Sequence, residues 1–195
     1  MEISLSEVND VLGDIRNLGE AENDFLNFKN VSIDSRTLLK TDLFIAIKGK
    51  NFDGHSFIPE VLKKGVKSVV IKEGMQKLLP TDFPCWVVND TLEAFQKLTL
   101  LKRKKLSIPL IAITGSVGKT TTKEMIGEVL KKLGRIKLSH ANFNNEIGVG
   151  LTILATDIED KVLVIEMGMR GPGQIENLSK YSEPDIAVIT NIGTA

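Results

Sequence analysis

Between Leu110 and Leu133 the sequence changes character twice within a short span. Leu110 to Thr114 is an apolar run, and continuous apolarity over strand length predicts a strand covered on both faces. Thr120 to Leu133 is spaced for a helix, with Met125, Ile126, Val129, Leu130 and Leu133 read as one apolar side and Gly134 as its stop. Between them lies Thr114-Gly115-Ser116-Val117-Gly118-Lys119-Thr120-Thr121-Thr122. Small residues let a backbone wrap an anion with its N–H groups inward, and a helix N-terminus adds partial positive charge. Gly115, Ser116, Val117, Gly118, Lys119, Thr120 and Thr121 are therefore expected to bind the phosphates of ATP. Lys119 can reach the β/γ-phosphates and the Thr120 hydroxyl can ligate Mg²⁺. The full G-x-x-x-x-G-K-[ST] pattern fails, because Ile113 stands where its first glycine would. The competing reading is a glycine turn beside an incidental lysine, and the strand–loop–helix context favours the phosphate loop.

Such a loop implies a parallel α/β sheet, and the rest of this half agrees. Lys161 to Met167 reads as a second buried strand, Ile175 to Tyr181 as a short helix and Asp185 to Asn191 as a third strand. Glu166 falls at the carboxyl end of its strand, where open α/β sheets place ligands. A lone carboxylate there is costly to bury unless it faces a cation. Lys119 and Glu166 are thus the catalytic candidates, with Thr120 and Glu166 serving Mg²⁺. The bland alternative for Glu166 is a surface residue at a strand end. Three strands make a thin sheet with an open edge, which predicts a fragment continuing past Ala195.

The first half reads as a separate α/β domain. Ser4 and Glu7 have capping-box spacing. Leu43 to Ile47 and Ser68 to Ile71 read as strands, and Cys85 to Val88 as another. Ser56 to Lys64 has helical spacing ending at Gly65, and Asp90 with Glu93 opens a further helix. That helix ends in Lys102 to Lys105, a charge run read as a solvated face favoured by the helix dipole. Ser107 to Pro109 reads as a linker, dividing the chain into 1–106 and 107–195. A formal net charge of +0 argues against nucleic-acid steering. No apolar stretch approaches the ~18 residues of a membrane span and no signal peptide is evident. One cysteine, Cys85, excludes an internal disulfide framework. A cytoplasmic location is expected.

TGSVGKTTTKEM, NFNNEIGVGLTIL, VIEMGMRGPGQI and PDIAVITNIGTA occur in order, after SIDSR and DLFIAIKGKNFDGHSFI. Together they resemble the Mur ligase family, with NNEIG and EMGMRGPGQI most like its D-alanyl-D-alanine-adding branch. The resemblance implies an N-terminal UDP-substrate-binding α/β domain followed by a truncated P-loop ATPase domain with a mainly parallel sheet. It implies a monomer that uses ATP and Mg²⁺ to join D-alanyl-D-alanine to UDP-N-acetylmuramoyl-tripeptide through an acyl phosphate. By matching motif, Ser35, Lys50, Asn51 and Phe52 would lie along the uridine diphosphate. Asn142, Asn144 and Asn145 would lie near the muramoyl-peptide. Arg36 would either join them or brace the fold through Asp34 or Asp42. His55 is expected to order its own loop and His140 to be a plain loop histidine. Gly171 and Gly173 would shape the turn presenting Glu166, and Asn191 and Gly193 would approach the nucleotide.

Thr41 and Gly150 depart from the family's usual glycine and proline, and the family's magnesium-binding histidine would follow Ala195. The fragment is therefore expected to lack ligase turnover alone. Two alternatives stay open: another Mur-type or folylpolyglutamate-type ligase, and a non-catalytic nucleotide-binding module.

Overall fold

The computed structural model describes residues 2–19, 26–49, 52–140 and 143–193. It divides into two compact units, Met1–Leu98 and Thr99–Ala195.

In the first unit, β1 (Ile3–Ser4) pairs antiparallel with β2 (Asn27–Phe28). Helix α1 (Leu5–Leu12) carries the expected capping box, with Ser4 and Glu7 satisfying each other's orphan N–H groups. The main sheet is parallel and runs in chain order: β3 (Val31–Ser32), β4 (Leu43–Ile45), β5 (Val69–Lys72) and β6 (Cys85–Val88). The β4 strand is shorter than the apolar run that encodes it, stopping at Ile45. A 3-10 turn (Gly54–Phe57) and α2 (Ile58–Lys63) follow it, and Gly65 turns the chain with φ +72°. Phe44, Ile58, Val61, Val69 and Ile71 form the core. Trp86 is buried, donates its indole N–H to Asn9 Oδ1 at 3.0 Å and meets Phe28 edge-on at 5.9 Å.

The boundary between the units falls inside α3 (Thr91–Lys105), eight residues before the 106/107 division read from Ser107 to Pro109. The reason lies in the charge run. Arg103, side chain 9% exposed, donates to the carbonyls of Ser182, Glu183, Leu106 and Ile108 and pairs with Asp185 at 2.6 Å. Lys102 is also buried, and that burial depresses its pKa. Half of the presumed solvated face is therefore internal framework of the second unit.

The second unit is a four-stranded parallel sheet, ordered β10 (Ile186–Ile189), β7 (Leu110–Thr114), β9 (Val162–Glu166) and β8 (Ile136–Leu138). One face of β7 and β9, with Ile111, Ile113, Val162 and Val164, packs on Ile126 and Leu130 of α4 (Lys119–Leu130). The other, with Leu110, Ala112, Leu163 and Ile165, packs on α5 (Glu146–Leu154) and α6 (Gln174–Ser182) through Val149, Ile153, Leu178 and Tyr181. Coverage on both faces is what the apolar runs require.

The structure corrects the expected helix after the loop. It ends at Leu130, a 3-10 turn (Lys131–Leu133) follows, and Met125, Val129 and Leu133 are 63%, 73% and 60% exposed. At ~100° per residue the face toward the sheet is Lys123, Ile126, Gly127 and Leu130. Gly127 fixes that choice, since a Cβ there would stand 2.8 Å from Leu138. In the second unit β8 and α5 lie outside the sequence-based expectation. Strand β8 has only three residues, each half-buried, and α5 is hidden in the glycine-containing NNEIGVGLTIL stretch. The sheet therefore has four strands where three were expected.

Candidate functional site

The connection leaving β7 leads through α4 toward β8, while the one leaving β9 leads through α6 across to β10. Adjacent strands whose connections diverge leave a crevice at their carboxyl ends. Both loops singled out by the sequence open there. The Thr114 hydroxyl donates to the Met167 carbonyl at 3.0 Å and joins the two strand ends.

The phosphate loop takes its shape from residues that tolerate it. Gly115 has φ +138°, and a Cβ there would lie 2.1 Å from Thr190 Oγ1. Gly118, φ +82°, is the N-cap of α4 and supplies no side-chain acceptor, so the first-turn N–H groups remain uncapped from that position. The end of β10 props the loop. Ser116 N donates to Asn191 O at 3.2 Å, and Val117 N to Asn191 Oδ1 at 3.0 Å. Thr190 Oγ1 donates to Val117 O at 2.7 Å, and Gly193 N donates to Ser116 Oγ at 3.0 Å. Asn191 and Gly193 thus brace the loop itself. Lys119 Nζ donates to Gly115 O at 2.6 Å and Ser116 O at 3.3 Å, folding its charge over the loop.

Glu166 ends β9 and is 3% exposed. Thr120 Oγ1 donates to its Oε2 at 2.7 Å, and Asn144 Nδ2 donates to Oε1 at 3.1 Å. The Glu166 N–H donates to Ser139 Oγ at 3.0 Å. Neutral donors offset only part of the cost of burying a carboxylate, so the place favours a cation. Among the described residues no cluster of three or more His, Cys, Asp or Glu could hold a metal alone. One carboxylate beside one hydroxyl suits Mg²⁺, which commonly takes one or two protein carboxylates and completes its shell with phosphate and water.

The substrate-side candidates fall in both units. Asn144 reaches Glu166, and its carbonyl accepts from Gly168 N at 2.7 Å. Asn145 Oδ1 caps α5 through Gly148 N at 2.8 Å. Lys50, Asn51 and Asn142 lie outside the described residues. In the first unit Ser35 is buried and donates to Glu60 Oε2 at 3.1 Å, while Phe52 is 74% exposed. Arg36 makes a two-point contact with Asp34, which holds the Asp34 carboxyl down to about 2. His55 orders its loop: Nδ1 meets Asp53 Oδ1 at 2.7 Å and Nε2 accepts from Lys72 N at 3.0 Å. His140 is exposed. Two residues of the Glu166 surroundings carry no local sequence signal, Ser139 and the fully buried Lys123, whose Nζ donates to Ser139 O at 2.7 Å.

The profile described as Mur ligase family, catalytic domain, matches residues 27–103, and that described as Mur ligase middle domain matches 113–195. The UDP-N-acetylmuramoyl-tripeptide--D-alanyl-D-alanine ligase of Synechocystis is 44% identical over 87% of this chain and 37% of its own length. That of Bacillus subtilis is 43% identical over 84% of this chain and 35% of its own. The chain thus spans a little over a third of these relatives. Among solved structures, MurF from Acinetobacter baumannii superposes with a TM-score of 0.84 at 30% identity, covering 100% of this chain and 42% of that one. MurF ligase from Thermotoga maritima in complex with ADP gives 0.77 at 34% identity, over 88% and 39%.

Proposed function

The chain belongs to the Mur ligase family, and from that premise we propose that it supplies the first two working parts of an ATP-dependent peptide ligase. In this reading the ligase joins D-alanyl-D-alanine to UDP-N-acetylmuramoyl-tripeptide. Residues 1–106 serve the UDP-linked substrate and residues 107–195 serve ATP. The observation that carries the reading is the 2.7 Å contact between Thr120 and Glu166, which joins the first turn after the phosphate loop to a buried carboxylate on the neighbouring strand.

The chemistry asked of the second unit is electrostatic. Phosphoryl transfer to a carboxylate develops negative charge on the phosphate oxygens, and fixed donors stabilise it without reorganising during the step. The uncapped N–H groups at the start of α4, from Lys119 to Thr121, would donate to those oxygens, while Asn191 holds the Ser116 and Val117 N–H groups and with them the shape of the loop. Lys119 turns its ammonium from Gly115 O toward the β/γ-phosphates, exchanging a carbonyl for an anion. Thr120 and Glu166 would hold Mg²⁺, which neutralises phosphate charge when bound. The substrate carboxylate becomes an acyl phosphate, and the amine of the incoming dipeptide displaces phosphate to form the amide. Ser35, Lys50, Asn51 and Phe52 are the candidates for the uridine diphosphate, and Asn142, Asn144 and Asn145 for the muramoyl-peptide. Of the last set Asn144 has the best support, since its amide already stands against Glu166.

Titration calorimetry with ATP and Mg²⁺ tests the reading. Lys119→Ala is expected to weaken binding by about 30-fold or more, the equivalent of one charge-assisted hydrogen bond of roughly 2–3 kcal/mol. Unchanged affinity and unchanged Mg²⁺ dependence would overturn it.

A further inference from the structure

We propose that Lys123 is a positioning residue for Glu166, acting through Ser139, and that it sets the affinity of the phosphate-loop site for a nucleotide–divalent cation complex. The inference rests on the nucleotide reading above and adds a residue that neither the loop motif nor the strand-end carboxylate indicates.

Lys123 lies on α4 three residues after Thr120, so both side chains leave the same face of the helix. Its side chain is 1% exposed. Removing an ammonium from water is strongly unfavourable unless its charge is matched where it ends up. The other sheet-facing positions carry no charge, being Ile126, Gly127 and Leu130. The ammonium donates to Ser139 O at 2.7 Å and pairs with Glu124 Oε1 at 3.1 Å, and the Glu124 side chain is 56% exposed. The buried contact is therefore the serine.

Ser139 follows β8 and is 2% exposed. Each of its polar groups is engaged. Its N–H donates to Val164 O at 2.9 Å, extending the β8–β9 ladder by one rung. Its hydroxyl accepts from Glu166 N at 3.0 Å, and its carbonyl accepts from Lys123. Ser139 consequently grips β9 on both sides of Ile165, and Lys123 fixes Ser139 to the helix that carries Thr120. The result is a closed loop of contacts: Thr120 to the Glu166 carboxylate, the Glu166 N–H to Ser139, Ser139 to Lys123, and Lys123 back along α4. Such a loop sets where the carboxylate stands relative to the hydroxyl. Outer-shell partners that orient a metal-binding carboxylate typically change metal affinity by about 10–100-fold when removed.

The test measures ADP binding to the 195-residue chain as a function of Mg²⁺, and again without divalent cation. Lys123→Met keeps the length of the stem and removes the charge, and Ser139→Ala removes only the hydroxyl. Each is expected to raise the Mg²⁺ concentration for half-maximal ADP binding by about tenfold, leaving Mg²⁺-free binding unchanged. The double variant is expected to match the single ones, because both break the same chain of contacts. Tyr181→Phe, which deletes a hydroxyl bond to Glu146 O on α5, controls for lost stability and should leave the Mg²⁺ response in place. An unchanged Mg²⁺ response in Lys123→Met, equal weakening with and without Mg²⁺, or a hundredfold shift in the double variant would overturn the proposal. If Lys123→Met fails to fold, Ser139→Ala alone decides, and an unaltered Mg²⁺ response there has the same force. Absence of Mg²⁺-dependent ADP binding in the unsubstituted chain would remove the nucleotide reading and this inference with it. Normal binding in that chain with no shift in the variants would remove the inference alone.

Discussion

The first unit's sheet runs β3, β4, β5, β6 in the order of the chain, whereas the second unit's runs β10, β7, β9, β8. Both are parallel and both are built on apolar strands, so composition does not separate them. Winding does. In the first, each connection among the described strands steps the same way, and no neighbouring pair has loops that part. Several of its buried polar groups bond the backbone: His55 on Lys72 N, Asp42 on Leu39 N, Trp86 on Gly13 O. In the second, the loops after β7 and β9 diverge, and the buried Glu166 and Ser139 stand at the gap between them. There Thr120, Asn144 and Ser139 each bond Glu166. Polar groups held by fixed carbonyls and amides serve the fold. Polar groups held by side chains that can let go are available to a ligand.

Substitutions in each unit sharpen that contrast. The largest effect is expected from Arg103→Met, which strips the donors from the carbonyls of Ser182, Leu106 and Ile108 and leaves Asp185 with the Leu110 N–H but without its guanidinium. Breaking a buried pair costs about 3–5 kcal/mol, and the lower end applies because the Asp185 side chain is 52% exposed. Urea unfolding followed by far-ultraviolet circular dichroism should register the loss, with the Trp86 emission transition left in place. A smaller effect, about 2 kcal/mol, is expected from His55→Ala, which leaves the Lys72 N–H without its acceptor. Here the Trp86 transition should move and ADP affinity should not. A loss of ADP binding in His55→Ala would break the division of labour.

The local signals of the second unit were legible because they are contiguous. Strand, loop and helix follow one another from Leu110 to Leu130, and Gly115 and Gly118 occupy the positive-φ positions that the turn requires. What escaped depends on residues distant in sequence. Arg103 looks like one more cation in a solvated run, and only the fold brings Asp185 to its guanidinium, 82 residues on. Lys123 meets Ser139 across 16 residues, and Ser139 meets Glu166 across 27. Met125 and Val129 satisfy an apolar count yet face solvent, because periodicity gives a stripe and only Gly127 against Leu138 says which stripe packs. In the first unit the SIDSR and DGH stretches were legible as motifs, but Ser35 is engaged by Glu60, Phe52 is exposed, and Lys50 and Asn51 lie outside the described residues.

The smallest effect concerns Tyr181, the chain's single tyrosine, in the second unit. Burial, then the nearby Glu146 carboxylate, pushes its phenol well above the ordinary value. The fold keeps the protonated form, so this contribution to stability is fully present below the unfolded value of about 10 and is lost as pH rises beyond it. Tyrosinate absorbance should therefore stay silent in the folded chain at pH values where free tyrosine ionises, and appear at once on adding denaturant. Ionisation at the ordinary pH in the folded chain would mean that α6 does not seal the core around Leu163 and Val149.

Hydrogen–deuterium exchange with and without ATP and Mg²⁺ tests most directly where the nucleotide goes. Slowed exchange is predicted from Gly115 to Thr121 and from Glu166 to Gly168, with residues 2–19 and 26–49 unchanged. Protection confined to the first unit, or no protection around Gly118 at saturating nucleotide, would contradict the account.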